Sequence, residues 1–168
     1  LRGEFSSRSG VVGSLHATMG TMSALLSCLG ISKSYGARPL FQNFNVHLAD
    51  GDRLGLIGKN GSGKSTLMEI LAGLEHPDTG DVVRRKGVRV GYVAQETGFA
   101  EADTVWSVLE RGIAPLALED LERDRSLHIL MGKVGFADPA EPARKLSGGW
   151  QKRLAIAEQI AGRPDLLL

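Results

Sequence analysis

The stretch GKNGSGKST, residues 58–66, decides the fold of this 168-residue chain. It fits the pattern G-x-x-x-x-G-K-[ST], which is typical of a loop that wraps phosphate groups. The apolar segment RLGLIG (residues 53–58) leads into the loop and predicts a short strand, and apolar residues recur at helical spacing from Lys64 to Leu71. A glycine loop between a strand and a helix predicts an α/β protein. The fixed positions of the pattern are Gly58, Gly63, Lys64 and Ser65.

Each residue type in this phosphate loop (residues 58–66) has a physical reason for its place. Glycine lets the backbone curl so that successive N–H groups face one anion, and the following helix adds the positive end of its dipole. Lys64 supplies a point charge for terminal phosphates, and the Ser65 hydroxyl is placed to ligate Mg²⁺. The loop therefore predicts binding of a magnesium nucleotide. Its other candidate contacts are Gly58, Asn60, Gly61, Ser62, Gly63 and Thr66.

The rest of the chain alternates strand and helix patterns. Strands are predicted in ALLSCLGIS, FNVHL, DVVRR, VRVGYVAQ and the final LLL, with turns at YGARPLF, ADGD and HPDTGD. Helices are predicted after Thr104, over residues 117–131 and over residues 149–161, and Gly73 is expected to end the helix after the phosphate loop. The order indicates a P-loop NTPase core, a mixed sheet with flanking helices, which carries a small helical insert at about residues 97–145 and is incomplete at its C-terminus.

Composition excludes several classes of protein. The net charge of +1 gives no electrostatic case for binding nucleic acid or a membrane surface. No apolar stretch reaches the roughly 20 residues that span a bilayer, so direct membrane insertion is not expected. The single cysteine, Cys28, cannot form an internal disulfide and is expected to be buried in a reducing, cytoplasmic protein. The four histidines lack metal-ligand spacing.

The first 21 residues differ from the patterned part of the chain. They are rich in Gly and Ser and lack the apolar centre of a signal peptide. The chain does not begin with Met, whereas Met22 lies just before the first patterned segment. We expect residues 1–21 to be a non-native or disordered leader and residues 22–168 to form the folded domain.

A second glycine motif, KLSGGWQKR, occupies residues 145–153. Ser147 is placed as a helix N-cap, and two glycines and a helix follow it. A hydroxyl, exposed backbone N–H groups and a helix dipole again converge on a place for an anion. The chain therefore has two candidate anion sites about eighty residues apart.

Three motifs in order, GKNGSGKSTL, YVAQE and LSGGWQKRLAIAEQI, resemble those of an ABC-type ATPase cassette over residues 24–168. The resemblance implies ATP and Mg²⁺ as cofactors, with Tyr35 stacking on adenine. It implies that Gln95 reaches Mg²⁺ and the attacking water. It also implies a signature motif formed by Ser147, Gly148 and Gly149. Two cassettes then pair head-to-tail, so that the signature motif of each contacts the γ-phosphate held by the other.

In that family the apolar strand beginning LLL runs on into an aspartate for Mg²⁺ and a glutamate that acts as base, and a histidine follows later. The sequence carries none of these after Leu168. We therefore expect an N-terminal fragment of a longer ATPase, one that binds Mg-ATP but hydrolyses it very slowly, because phosphoryl transfer needs those carboxylates.

The type of cassette stays open at this point. Trp150 follows Ser-Gly-Gly, where many transporter cassettes have Gln, and SGGW looks more like the ABC-F group of soluble twin-cassette ATPases that act on ribosomes. The short middle segment has no room for the longer helical arm of many ABC-F cassettes. The alternatives are a transporter subunit with a membrane partner and a non-hydrolysing nucleotide-binding module. Trp150 either packs within its own cassette or contacts the partner cassette. The basic run RRKGVR, residues 84–89, is either a solvent-exposed turn or a contact with RNA.

Overall fold

The structure is a computed structural model that describes residues 24–168, so the expectations for residues 1–21, for a start at Met22 and for His16 lie outside the described residues. The chain divides into two compact units, one ending at Val88 and one spanning Arg89–Leu168. The phosphate loop belongs to the first unit, and the signature motif belongs to the second.

The first unit is built on an antiparallel sheet in the order β2-β1-β3. Its strands are β1 (Leu26–Tyr35), β2 (Arg38–Leu48) and β3 (Thr79–Arg84), and its helix is α1 (Lys64–Ala72). In β2, Val46 and Leu48 are buried and Phe44 is half-buried, while Asn45 and His47 between them are exposed, as the period-two pattern of FNVHL predicts. Cys28 is fully buried in β1, and burial raises the pKa of its thiol to about 11. Helix α1 buries Leu67, Ile70 and Leu71 and ends at Gly73 with φ 81°, as predicted.

Two turn predictions in this unit are too long. The turn after β1 needs only Gly36 and Ala37, and Pro39 already lies in β2. Similarly, β3 begins at Thr79, inside the segment HPDTGD. Both strands extend further because their backbones pair with β1 over these residues.

The strand prediction for RLGLIG is wrong. Residues 53–58 adopt no regular structure, and Leu54 and Ile57 are 47% and 78% exposed. A strand needs a neighbour to satisfy its N–H and C=O groups, and within residues 24–168 no segment is paired with these residues. The apolar pattern alone is therefore not sufficient for a strand here.

The second unit is mainly helical. Its elements are β4 (Val90–Gly91), α2 (Val105–Ile113), a 3₁₀ turn (Ala114–Leu116), α3 (Asp120–Val134), a 3₁₀ turn (Ala143–Lys145), α4 (Gly148–Ala161) and β5 (Leu166–Leu167). The strand predicted in VRVGYVAQ is reduced to β4, which pairs parallel with β5 in the final LLL. The core lies between the three helices, and its fully buried members include Val105, Val108, Leu109, Leu127 and Leu154.

The helix boundaries in this unit have local causes. Thr104 caps α2 as predicted, and it forms a capping box in which its hydroxyl accepts from Ser107 N at 3.2 Å and its own N–H donates to Ser107 Oγ at 2.9 Å. Helix α3 begins at Asp120 and not at residue 117, because Ala117 has a left-handed φ of 49° that ends the preceding 3₁₀ turn. Helices α2 and α3 fall inside the predicted insert, whose boundaries stay a prediction.

Candidate nucleotide-binding site

The phosphate loop takes its shape from two glycines in the left-handed region. Gly61 has φ 75° and Gly63 has φ 89°, and both values favour glycine. A Cβ at Gly63 would also lie 3.0 Å from Leu40 Cβ. Gly63 is the N-cap of α1 and offers no side chain to its first turn. The N–H groups at this helix end are therefore left for a bound anion.

Lys64 lies across the loop. Its Nζ donates to Gly58 O and to Lys59 O, each at 2.8 Å. The ammonium group is thus held against the inner side of the loop at the start of α1. This is the placement that a cation needs in order to contact phosphate oxygens.

The loop hydroxyls complete the set of donors. Ser62 Oγ is buried, and it has no hydrogen-bond partner among the described residues. A buried polar atom without a partner is unfavourable, so this hydroxyl is suited to a bound polar group. Ser65 is exposed at the start of α1, with Thr66 next to it. An ammonium group, backbone N–H groups and hydroxyls are a suitable donor set for a nucleotide phosphate chain with Mg²⁺.

Tyr35 stands at the end of β1, where it pairs with Arg38 of β2. Its side chain is 57% exposed, and Lys33 Nζ lies 5.9 Å from the ring centroid. More than half of the Tyr35 surface is therefore open to a flat partner such as a nucleobase.

Gln95 lies in the second unit, in an exposed segment after β4. The residues 94–96 are called the glutamine segment below. Lys152 Nζ donates to Ala94 O and, at 3.2 Å, to Gln95 O. Sequence reasoning missed Lys152, because 57 residues separate it from Gln95 and no local signal joins them.

The signature turn, residues 147–149, begins α4. Ser147 is the N-cap as predicted, but its side chain makes no capping hydrogen bond. All three residues are exposed, and a Cβ at Gly148 or Gly149 would meet no atom within 4 Å. The hydroxyl and the first N–H groups of α4 are consequently open to an external anion.

Two further residues shape this turn. Gln151 Nε2 donates to Arg144 O and Leu146 O, both at 3.1 Å, which fixes the backbone just before the signature turn. Trp150 packs edge-to-face on Phe136, with ring centroids 5.1 Å apart, and the Arg153 guanidinium lies 4.5 Å from the centroid of the Trp150 ring. The packing interpretation of Trp150 is therefore the one that the contacts support, although the residue is still 38% exposed.

The site residues thus fall into two groups. Tyr35 and the phosphate loop belong to the first unit, and Gln95 and the signature turn belong to the second, where Lys152 joins α4 to the glutamine segment. Within residues 24–168, no group of three or more His, Cys, Asp or Glu residues is placed to hold a metal ion. Among the helices of that same range, none combines the length and the apolar character needed to cross a membrane.

Comparison with known proteins identifies the family of this chain. The family profile described as ABC transporter matches residues 41–168. The chain is 38% identical over 147 residues to the Probable ATP-binding protein YheS of Escherichia coli O6:H1, an alignment that covers 86% of this chain and 22% of YheS. It is 33% identical over 153 residues to the Aliphatic sulfonates import ATP-binding protein SsuB 1 of Agrobacterium fabrum, which covers 90% of this chain and 55% of that protein.

The fold comparison gives the same result. A solved structure of an ATP binding subunit of an ABC transporter matches with a TM-score of 0.76 at 22% identity, and the match covers 85% of this chain and 64% of that one. The predicted α/β fold of a P-loop NTPase is confirmed by this match and by the family profile. The chain spans about a fifth of YheS and about half of SsuB 1. It belongs to the ABC transporter family, as an ATP-binding cassette of that family.

Proposed function

We propose that this chain supplies one cassette of an ATP-hydrolysing protein in which two cassettes pair head-to-tail around Mg-ATP. The observation that carries this proposal is the Lys64 ammonium, held 2.8 Å from two loop carbonyls at the N-terminal end of α1. A fixed cation beside uncapped helix N–H groups is a preformed phosphate site.

Each predicted site residue has a role in this proposal. Lys64 and the loop N–H groups hold the terminal phosphates, Ser65 and Gln95 are Mg²⁺ ligands, and Tyr35 stacks on adenine. Mg²⁺, when bound, compensates charge on the phosphates during phosphoryl transfer. The remaining contacts to the nucleotide come from Gly58, Asn60, Gly61, Ser62, Gly63 and Thr66.

The signature turn acts on the nucleotide of the partner cassette. Its Ser147 hydroxyl and first N–H groups are exposed and lack a side-chain cap, which leaves them for a γ-phosphate that arrives from outside this chain. A single cassette therefore contributes to two composite sites, and pairing is part of its function.

The test of nucleotide binding uses a matched pair of lysines in the phosphate loop. Titration with a fluorescent ATP analogue in the presence of Mg²⁺ should give saturable binding to the unaltered chain. Lys64→Ala should weaken binding at least tenfold, because it removes the charge that faces the phosphates. Lys59→Ala removes an exposed charge from the same loop and should bind within about twofold of the unaltered chain. Equal affinity of the two variants would refute the proposed site.

The finer assignment within the family is an ABC-F-like cassette that works on the ribosome. Trp150 after Ser-Gly-Gly supports this assignment. The 38% identity to YheS also supports it, because the name of YheS describes an ATP-binding protein and mentions no transported solute. The full-length gene product should sediment with ribosomes when ATP hydrolysis is blocked by a non-hydrolysable analogue, and should be released with ADP. Sedimentation that does not depend on the nucleotide would count against this assignment.

The second candidate is the nucleotide-binding subunit of a transporter. The observation that favours it is the 33% identity to the import protein SsuB 1 over 90% of this chain. Under this alternative, the native protein should copurify from detergent extracts with a membrane-spanning subunit and should be absent from ribosomal fractions. The same fractionation therefore separates the two candidates.

A further inference from the structure

The glutamine segment is held by the helix that begins with the signature turn. Lys152 lies one turn after Gly149 on α4, and its ammonium donates to the carbonyls of Ala94 and Gln95. These are hydrogen bonds from a charged donor, which are stronger than those between neutral groups. Lys152 thus acts on the main chain of Gln95 and leaves the amide side chain of Gln95 free.

A second contact from the same helix holds the start of this region. Gln159 Oε1 accepts from Tyr92 N at 3.1 Å. Lys152 and Gln159 are seven residues apart, which is two helical turns, so they lie on one side of α4. Helix α4 therefore contacts the segment after β4 at two points, at Tyr92 near its start and at Gln95.

Helix α4 is itself firmly anchored. Leu154 and Ala157, between the two contacts, are 0% and 1% exposed in the core of the unit. The carboxylate of Glu158 accepts from Arg111 Nε of α2 at 2.7 Å. A helix fixed in this way can set the position of an exposed segment that has little packing of its own.

We infer that Lys152 is a positioning residue for Gln95, and that its hydrogen bonds hold the glutamine segment against α4. This inference rests on the proposed function, because the proposed function gives Gln95 its role at Mg²⁺ and the attacking water. These hydrogen bonds hold the main chain of Gln95 beside the first turns of α4, which begins at the signature turn. A displacement of α4 would therefore move the point from which the Gln95 side chain extends.

The first test is hydrogen exchange on the unliganded chain, and it requires no nucleotide. The reporters are the amides of Tyr92 and Val93, which donate to Gln159 Oε1 and Leu168 O. Lys152→Met should raise their exchange rates roughly tenfold, since the chain beyond them is released. Lys133→Met, at an exposed lysine in the last turn of α3, removes the same charge and should leave exchange unchanged.

The second test is steady-state ATP hydrolysis by the full-length gene product. Lys152→Met should lower kcat roughly tenfold and leave KM within twofold, because misplaced Gln95 affects the reaction and the phosphate loop still binds. Lys152→Arg keeps a charged donor and should recover kcat to within about threefold of the unaltered enzyme. Lys133→Met again serves as the control.

The outcomes separate this inference from the proposed function. If Lys152→Met leaves both the amide exchange rates and kcat unaltered, the inference is overturned. It is also overturned if both Lys152 variants show faster amide exchange along the whole of α4, since that pattern indicates a folding defect. If Lys64→Ala binds and hydrolyses ATP normally, the proposed function fails. In that case the exchange data still decide whether Lys152 holds the segment.

Discussion

Gly112 of α2 and Glu158 of α4 bring the backbones of two helices into direct contact. A Cβ placed on Gly112 would lie 2.2 Å from Glu158 O, which is closer than any side-chain carbon can approach. Next to it, Arg111 donates to Glu158 Oε1 at 2.7 Å and to Asp103 Oδ1 at 3.2 Å. This crossing sets the position of α4, and with it the position of the signature turn.

Gly112→Ala should therefore destabilise the second unit. The added methyl group meets backbone and not a flexible side chain, so the helices have to separate, and overpacking of this kind costs about 1–3 kcal/mol. Urea unfolding followed by circular dichroism would measure the change.

The matched control is Gly132→Ala in α3. A Cβ at Gly132 would meet no atom within 4 Å, and alanine is the better helix former by roughly 1 kcal/mol. The two glycine variants should consequently shift the unfolding midpoint in opposite directions. Equal midpoints would show that the two helices are not in backbone contact in solution.

Lys33→Met tests an ion cluster in the first unit. The Lys33 side chain is 11% exposed, and its Nζ lies 2.8 Å from Glu75 Oε1 and 3.2 Å from Asp78 Oδ1. Hydrogen bonding to Glu75 raises the pKa of Lys33, and Lys33 in turn lowers the pKa of Glu75. The Ser34 N–H and Lys33 together lower the pKa of Asp78. The variant should lose stability at neutral pH.

The pH dependence of that loss follows from the direction of the shifts. The pKa values of both carboxyl groups are lowered on folding, so their contribution is present above about pH 4 and is lost as pH falls through the folded-state values. The pKa of Lys33 is raised, so its contribution is fully present below the unfolded-state value of about 10.4 and is lost as pH rises through the folded-state value. The stability difference between the unaltered chain and Lys33→Met should thus be greater at pH 7 than at pH 3. Lys86→Met, at an exposed turn, should show no such profile.

Local signals explain which parts of this fold were predictable. The phosphate loop, the cap at Thr104 and the helix end at Gly73 each depend on a few neighbouring residues, and each lies where its pattern predicts. The segment RLGLIG is different, because a strand depends on a partner that the apolar pattern does not specify. The contact of Lys152 with the glutamine segment is set by the packing of α4, and no pattern within either segment encodes it.

Trp150→Gln tests the two interpretations of the tryptophan in the signature helix. Trp150 packs on Phe136 at a ring angle of 60°, and Arg153, which covers its ring, also donates to Val134 O at 3.3 Å at the end of α3. The variant loses the aromatic pair and the cation–π contact, so we expect a loss of about 1–2 kcal/mol in the free energy of unfolding. Urea unfolding of the isolated chain measures it.

Leu121→Gln is the control for this substitution, because Leu121 is 84% exposed and its replacement should change stability by less than about 0.5 kcal/mol. If Trp150→Gln is no less stable than this control, packing does not explain the tryptophan. A normal stability combined with reduced ATP hydrolysis by the full-length gene product would instead indicate that Trp150 contacts the partner cassette. A loss of stability with hydrolysis per folded molecule unchanged would indicate that its role is to join the start of α4 to the end of α3.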